Sequence, residues 1–240
     1  MWRMNYTILM NLARLPKLLE TMHRIADRPD QYTEQDAYDY VRYIVGLMQK
    51  NGHIKTECYG RENLPADGGY ILYPNHQGKY DAYSIVAVHE NPLSVVMDRE
   101  MSYFLLVDEI IEILRGKRMD IHDARQALKI ISQVAEEVAA GRRYIIFPEG
   151  GYSDDKHNRL WDFKPGCFKA AVKAGVPIVP VALVDSYKPY NSRQITPVKT
   201  QVHFLEPIWY EEYKDMNTAQ IGETVKKQIQ SKLAQLGYEP

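Results

Sequence analysis

From residue 53 onward, short apolar runs alternate with longer stretches of helical spacing, and this alternation constrains the fold more than any other feature. Residues 53–59 alternate as a strand does. Apolar runs of strand length follow at 70–73, 93–97, 144–147, 178–184 and 198–205, the first of them entered through the turn Pro65-Ala66-Asp67-Gly68-Gly69. Helical patterns lie between them at about 80–90, 101–114, 123–140 and 166–175, and a last one covers about 217–236. Strands separated by helices predict an α/β fold with a mixed, largely parallel sheet flanked by helices.

The first 52 residues read differently. Polar Arg3, Asn5, Asn11, Arg14, Lys17, Thr21 and Arg24 recur mostly three or four apart, with Trp2, Met4, Ile8, Leu9, Leu12, Leu15, Leu18 and Met22 between them. That is an amphipathic helix with a broad apolar face and a basic polar face, split near Pro16. A second helix starts at an N-cap Thr33, with Asp36 three residues on, and Gly52 stops it. The expected organisation is an N-terminal two-helix unit over 1–52 and an α/β domain over 53–240. The first helix either packs on its own domain or lies in a bilayer interface, its cations meeting anionic headgroups.

Composition narrows the partners. A formal net charge of -1 gives no general attraction to nucleic acid, so none is expected as a partner. No run of about 18 apolar residues is present, so no transmembrane helix is expected. Cys58 and Cys167 belong to no metal or redox spacing. The 18 tyrosines, against 5 phenylalanines, read for the most part as partly exposed core aromatics.

Two polar stretches stand at the carboxyl ends of predicted strands, where open α/β sheets place their sites. Asn75-His76-Gln77-Gly78-Lys79-Tyr80-Asp81 follows the strand at 70–73, and Phe147-Pro148-Glu149-Gly150-Gly151-Tyr152-Ser153 follows the one at 144–147. His76 and Asp81 are the parts of a base and its orienter, since a carboxylate on the far nitrogen fixes the imidazole tautomer. The chain has neither a Gly-x-Ser-x-Gly elbow nor a P-loop, so the nucleophile is expected to come from the substrate. Asp120-Ile121-His122-Asp123 and Asp154-Asp155-Lys156-His157 carry metal-ligand types, but as contiguous turn-like runs; helix capping by Asp123 and a solvated loop explain them, and no metal is expected.

Asn75-His76-x4-Asp81, Phe147-Pro148-Glu149-Gly150 and Val176-Pro177-Ile178-Val179-Pro180-Val181, in this order and spacing, resemble the motifs of the glycerolipid acyltransferase family. Its best-known members are the 1-acylglycerol-3-phosphate acyltransferases. The similarity covers roughly residues 55–205 and includes Phe163-Lys164-Pro165-Gly166-Cys167-Phe168-Lys169. The resemblance implies that His76 deprotonates a glycerol hydroxyl as it attacks an acyl thioester, with Asp81 holding His76. It implies acyl-CoA or acyl carrier protein as donor, no cofactor and no metal. It further implies that Glu149 and Gly150 shape the acceptor site and that Pro177, Ile178, Val179 and Pro180 lie near the donor.

Two departures bear on the acceptor. The family's third motif continues with Thr-Arg, where this chain has Gly151 and Tyr152. Its second reads Ile-Asp-Arg, where this chain has Met119-Asp120-Ile121. The phosphate-binding cation is then expected from Lys117, Arg118, Lys156, Arg159 or Lys164, and a backbone N–H near Gly150 or Gly151 is a candidate oxyanion donor. The expected acceptor is a lysophospholipid, with lysophosphatidic acid first. Such a substrate favours the interfacial reading of the first helix and a peripheral position on the cytoplasmic face of a membrane. The alternatives are a thioesterase or lipid hydrolase using the same dyad, and a non-catalytic lipid-binding protein.

Overall fold

The structure, a computed structural model, describes residues 2–103, 106–153, 155–191 and 195–238. Asp154 of the acidic run lies outside the described residues.

Seven strands form one sheet: β1 (Ile54–Tyr59), β2 (Ile71–Pro74), β3 (Ser94–Asp98), β4 (Lys117–Met119), β5 (Tyr144–Ile145), β6 (Ile178–Val184) and β7 (Val198–Phe204). Their order across the sheet is β1-β7-β6-β2-β5-β3-β4. Only the β6–β7 pairing is antiparallel. The helices are α1 (Trp2–Met10), α2 (Leu15–Asp27), α3 (Glu34–Gly52), α4 (Asp81–Val88), α5 (Val107–Ile113), α6 (Ala124–Ala139), α7 (Lys169–Ala174), α8 (Lys188–Asn191), α9 (Tyr210–Tyr213) and α10 (Thr218–Gln235).

Successive strand residues point to opposite faces, and the core divides accordingly. Tyr70 and Leu72, with Val179, Val181 and Leu183, face the layer built from α2 to α5. Ile71 and Tyr73, with Ile178, Ala182 and Val184, face α6, α7 and α10. The central strands are therefore apolar at every position, as parallel strands covered on both sides must be.

The chain leaves β2 into α4 on the first face, and passes from β5 to β6 through α7 on the second. Neighbouring β2 and β5 thus send their exits to opposite sides, which opens a crevice at their carboxyl ends.

Local chemistry accounts for the element ends. Thr33 and Asp36 form the expected capping box of α3. Gly52 does not end that helix, however: it is the last helical residue, and His53, at φ 52°, makes the left-handed cap. Gly52 is small for another reason, since a Cβ there would lie 3.1 Å from both Thr7 Oγ1 and Ile54 Cδ1. The pattern at 101–114 resolves into a 3-10 turn at Met101–Tyr103 and the short α5, entered through Leu106 at φ 70°. Six tyrosines among the described residues are fully buried rather than partly exposed. The hydroxyls of Tyr38, Tyr70, Tyr73, Tyr80, Tyr144 and Tyr213 each hydrogen-bond inside the protein, which makes burial tolerable.

The N-terminal helices depart most from expectation. Pro16 sits in the first turn of α2, after a break at 11–14. On α1 the polar side faces inward: Arg3, Thr7 and Asn11 are buried, one turn apart. Arg3 donates to Gly52 O (2.6 Å) and Thr196 O (2.8 Å), so this cation caps α3 and does not face a headgroup. Asn51 Nδ2 donates to Asn11 Oδ1 at 2.8 Å. Trp2, Leu9, Met10 and Leu12 point outward, 67%, 65%, 51% and 55% exposed.

Gly69 provides a stability test. A Cβ at Gly69 would fall 2.0 Å from Val138 O and 2.7 Å from Arg142 O, both backbone atoms. Gly69→Ala is expected to cost roughly 2–3 kcal/mol and to lower Tm by roughly 5–10 °C in a thermal melt.

Candidate active site

The crevice is built from the exits of three adjacent strands. β2 leads into Asn75 and His76, β5 into Phe147 to Gly150, and β6 into Asp185 and Ser186. Asn75 is buried and prolongs the β2–β6 ladder with its side chain: Leu183 N donates to Asn75 Oδ1 (2.7 Å), and Asn75 Nδ2 donates to Leu183 O (3.1 Å). This pairing fixes where the chain turns away, and so where His76 begins.

His76 Nδ1 lies 2.7 Å from Asp81 Oδ2. Asp81, the first residue of α4, has no exposed surface. The intervening turn folds back so that the Gln77 and Gly78 N–H groups also donate to Asp81 Oδ2, at 2.5 and 2.9 Å, while Ser186 Oγ donates to Oδ1 at 2.6 Å. An ionised carboxylate accepts and cannot donate, so Asp81 requires the proton on Nδ1 and leaves the Nε2 lone pair available. No described residue hydrogen-bonds Nε2, and the imidazole is 18% exposed. Phe147 stacks on the ring at 4.1 Å between centroids, and Tyr152 meets it edge-on at 4.6 Å.

Glu149 is buried and faces inward. Oε1 accepts from His76 N (2.7 Å); Oε2 accepts from Trp161 N (2.6 Å) and from Lys156 Nζ. Lys156 is 1% exposed and also donates to His76 O at 2.7 Å. Burial pulls its ammonium below the ordinary lysine range, and Glu149 works against that shift. With both oxygens hydrogen-bonded, the Glu149 carboxylate organises the site's backbone.

Of the expected cations, the structure brings Lys156 against the His76 carbonyl and Lys164 against Gly150. Lys117 Nζ pairs with Glu137 (2.5 Å). Arg118 binds Asp108 (2.7 Å), Glu112 (2.5 Å) and Ser102 Oγ (3.1 Å). Their strand, β4, is three places from β2, about 14 Å at the usual strand spacing. Arg159 donates to the carbonyls of Asp155 (2.9 Å) and Lys156 (3.4 Å). Lys164 is exposed and lies against Gly150, where an added Cβ would come within 2.6 Å of its Nζ. No described carboxylate pairs with it. Gly150, at φ 67°, has its N–H turned to Phe147 O (3.2 Å), whereas the Gly151 N–H has no acceptor among the described residues.

Ile178, Val179 and Pro180 are buried at the start of β6, where they pair with Ile71, Leu72 and Tyr73, and Pro177 precedes them. They form core at the end of the strand away from His76, so the structure does not bring them to the dyad; Leu183 to Ser186 are the residues of that segment that reach it. Asp123 caps α6, accepting from the N–H groups of Arg125 and Gln126. Among the described residues, no group of three or more His, Cys, Asp or Glu side chains could hold a metal ion. Ser186 escapes the sequence reading as part of the site, and Lys156, expected only as a possible phosphate cation, is instead a buried partner of Glu149 and the His76 carbonyl. Ser186 carried one usable signal: it directly follows a predicted strand, at the same edge as the other two loops.

Residues 55–184 match the family model described as Acyltransferase. The chain is 25% identical over 198 residues to the 1-acyl-sn-glycerol-3-phosphate acyltransferase of Salmonella typhimurium, an alignment covering 82% of this chain and 80% of that one. It is 25% identical over 211 residues to the Saccharomyces cerevisiae protein of the same name, covering 85% of this chain and 65% of that one. The fold is shared with the crystal structure of the 1-acyl-sn-glycerophosphate (LPA) acyltransferase PlsC from Thermotoga maritima, with a TM-score of 0.75 at 21% identity, covering 97% of this chain and 92% of that one. Matched over more than half its length by that family model, and folded on the same mixed sheet as PlsC, the chain belongs to the acyltransferase family.

Proposed function

We propose that this acyltransferase moves a fatty acyl group from a thioester to the free glycerol hydroxyl of a lysophospholipid, with lysophosphatidic acid as the acceptor. The observation that carries the reading is the His76–Asp81 pair, with Nδ1 committed to a buried carboxylate and Nε2 uncommitted. Nε2 takes the hydroxyl proton as the acceptor oxygen attacks the thioester carbonyl. The resulting oxyanion is met by an N–H, for which Gly151 is the candidate because its hydrogen is unspent. Collapse of the tetrahedral species breaks the C–S bond, and His76 returns the proton to the leaving thiolate. Either acyl-CoA or acyl carrier protein presents such a thioester, and this chemistry needs no further cofactor.

Lysophosphatidic acid as acceptor is supported by the names of the relatives and by Lys164 beside Gly150. Lys164 stands in for the motif arginine that Tyr152 replaces. Lys164→Met is expected to raise KM for lysophosphatidic acid about tenfold with kcat little changed, the weight of a charge-assisted contact. Steady-state kinetics with lysophosphatidic acid, lysophosphatidylethanolamine and lysophosphatidylcholine, each with both thioester donors, tests the acceptor. Preference for lysophosphatidic acid supports the reading, and activity confined to the other two overturns it.

The substrate is a membrane lipid, and α1 suits a membrane surface. Arg3, Thr7 and Asn11 are spent on the protein, leaving Trp2, Leu9, Met10 and Leu12 outward, with Asn5 exposed among them. The contact proposed is peripheral and on the cytoplasmic face; no helix among the described residues is long and apolar enough to cross a membrane.

A further inference from the structure

The buried ammonium of Lys156 directs its three protons to distinct places. One goes to His76 O (2.7 Å), one to Glu149 Oε2, and the third side lies 5.0 Å from the centre of the Trp161 ring. Glu149 in turn accepts the His76 N–H at 2.7 Å. One end of this ion pair therefore binds the peptide group before the His76 Cα, and the other end the peptide group after it. A buried ion pair is a poor way to gain stability, because desolvating both charges costs about as much as their attraction returns. It is a good way to fix a backbone, because both hydrogen bonds are charge-assisted and directional.

We propose that Lys156, acting with Glu149, is a positioning residue for the base: the pair clamps the backbone on both sides of His76 and thereby aims Nε2. Asp81 and Ser186 set the rotation of the imidazole from its far side, and the rings of Phe147 and Tyr152 bound its faces. The clamp sets the remaining variable, the position of the Cα from which the ring projects. Lys156 touches no reacting atom in this arrangement. The inference rests on the acyl-transfer reading above.

The test compares kcat and acceptor KM for the full-length protein and four variants: Lys156→Met, His76→Ala, His76→Ala/Lys156→Met and Glu149→Gln/Lys156→Met. Lys156→Met is expected to lower kcat about a hundredfold at unchanged KM, the usual consequence of a base displaced by about 1 Å. Added to His76→Ala it is expected to cost nothing further, because a residue acting only through His76 has nothing left to position. Wild-type kcat in Lys156→Met overturns the proposal. So does a rise in KM that matches the loss, or a further loss in the His76→Ala background, since both would mean that Lys156 acts elsewhere. If Lys156→Met fails to melt cooperatively, the charge-free double variant decides: low kcat in a folded protein supports the clamp, and wild-type kcat removes it. Absence of transfer by the wild-type protein would defeat the function itself, before any variant is compared.

Discussion

His76→Ala is expected to lower kcat by about 10²–10⁴ while the melting temperature stays close to that of the wild type. The rate loss follows from removing the group proposed to take the hydroxyl proton. The retained stability follows from Asp81, which is the group at risk when His76 goes. Its carboxylate is buried, but the Gln77 and Gly78 N–H groups and Ser186 Oγ still donate to it. No buried charge is stranded. The side chain removed is itself part-exposed, so its loss leaves no closed cavity. Progress curves for ester formation, with a thermal melt of the same preparations, check both halves; a variant at wild-type rate removes the dyad from the mechanism.

The second large effect is expected at the membrane. Replacing Leu9, Met10 and Leu12 together by glutamate is expected to weaken binding to anionic phospholipid vesicles about a hundredfold or more. Each side chain is at least half exposed in the lipid-free protein, so about half of its transfer free energy is still available to a bilayer. That is about 1 kcal/mol per residue and about 3 kcal/mol for the three, and the new charges add repulsion from anionic lipid. The fold is expected to be untouched, because α1 is held by Arg3, Thr7 and Asn11 on its opposite side. Vesicle co-sedimentation measures the change, and unaltered binding would mean that the outward stripe serves some purpose other than lipid contact.

The helix α1 also marks the limit of what a sequence pattern conveys. Helical spacing separated Trp2, Leu9 and Leu12 from Arg3 and Asn11, but it could not say which side meets the body. Ordinary burial would put the apolar side inward. Here the carbonyl of Gly52, at the end of α3, and the side chain of Asn51 offer polar partners that only the tertiary arrangement creates.

The same division runs through the sheet. The long apolar strands were legible because both faces are covered, whereas β4, three residues reading Lys-Arg-Met, has no apolar run to betray it. The four-residue helices α8 and α9 are too short for periodicity to register. At the site, His76, Asp81 and Glu149 stood out because each follows a strand closely. Lys156 stood out only as a possible phosphate cation, since lysine in a polar loop is ordinarily solvated, and its burial depends on a carboxylate seven residues away and a carbonyl eighty residues away. The shifted-cation idea met the same difficulty: Lys117 and Arg118 are near the second motif in sequence, but their charges are consumed by Glu137, Asp108 and Glu112.

The most direct test of the central claim counts thiol released against ester formed by purified protein in detergent, with lysophosphatidic acid present and absent. Acyl transfer from His76 acting on the acceptor hydroxyl predicts one ester per thiol, with release close to zero when the acceptor is left out. Thiol released at the same rate without acceptor, and no ester formed with it, would contradict the account and make water the nucleophile that His76 activates.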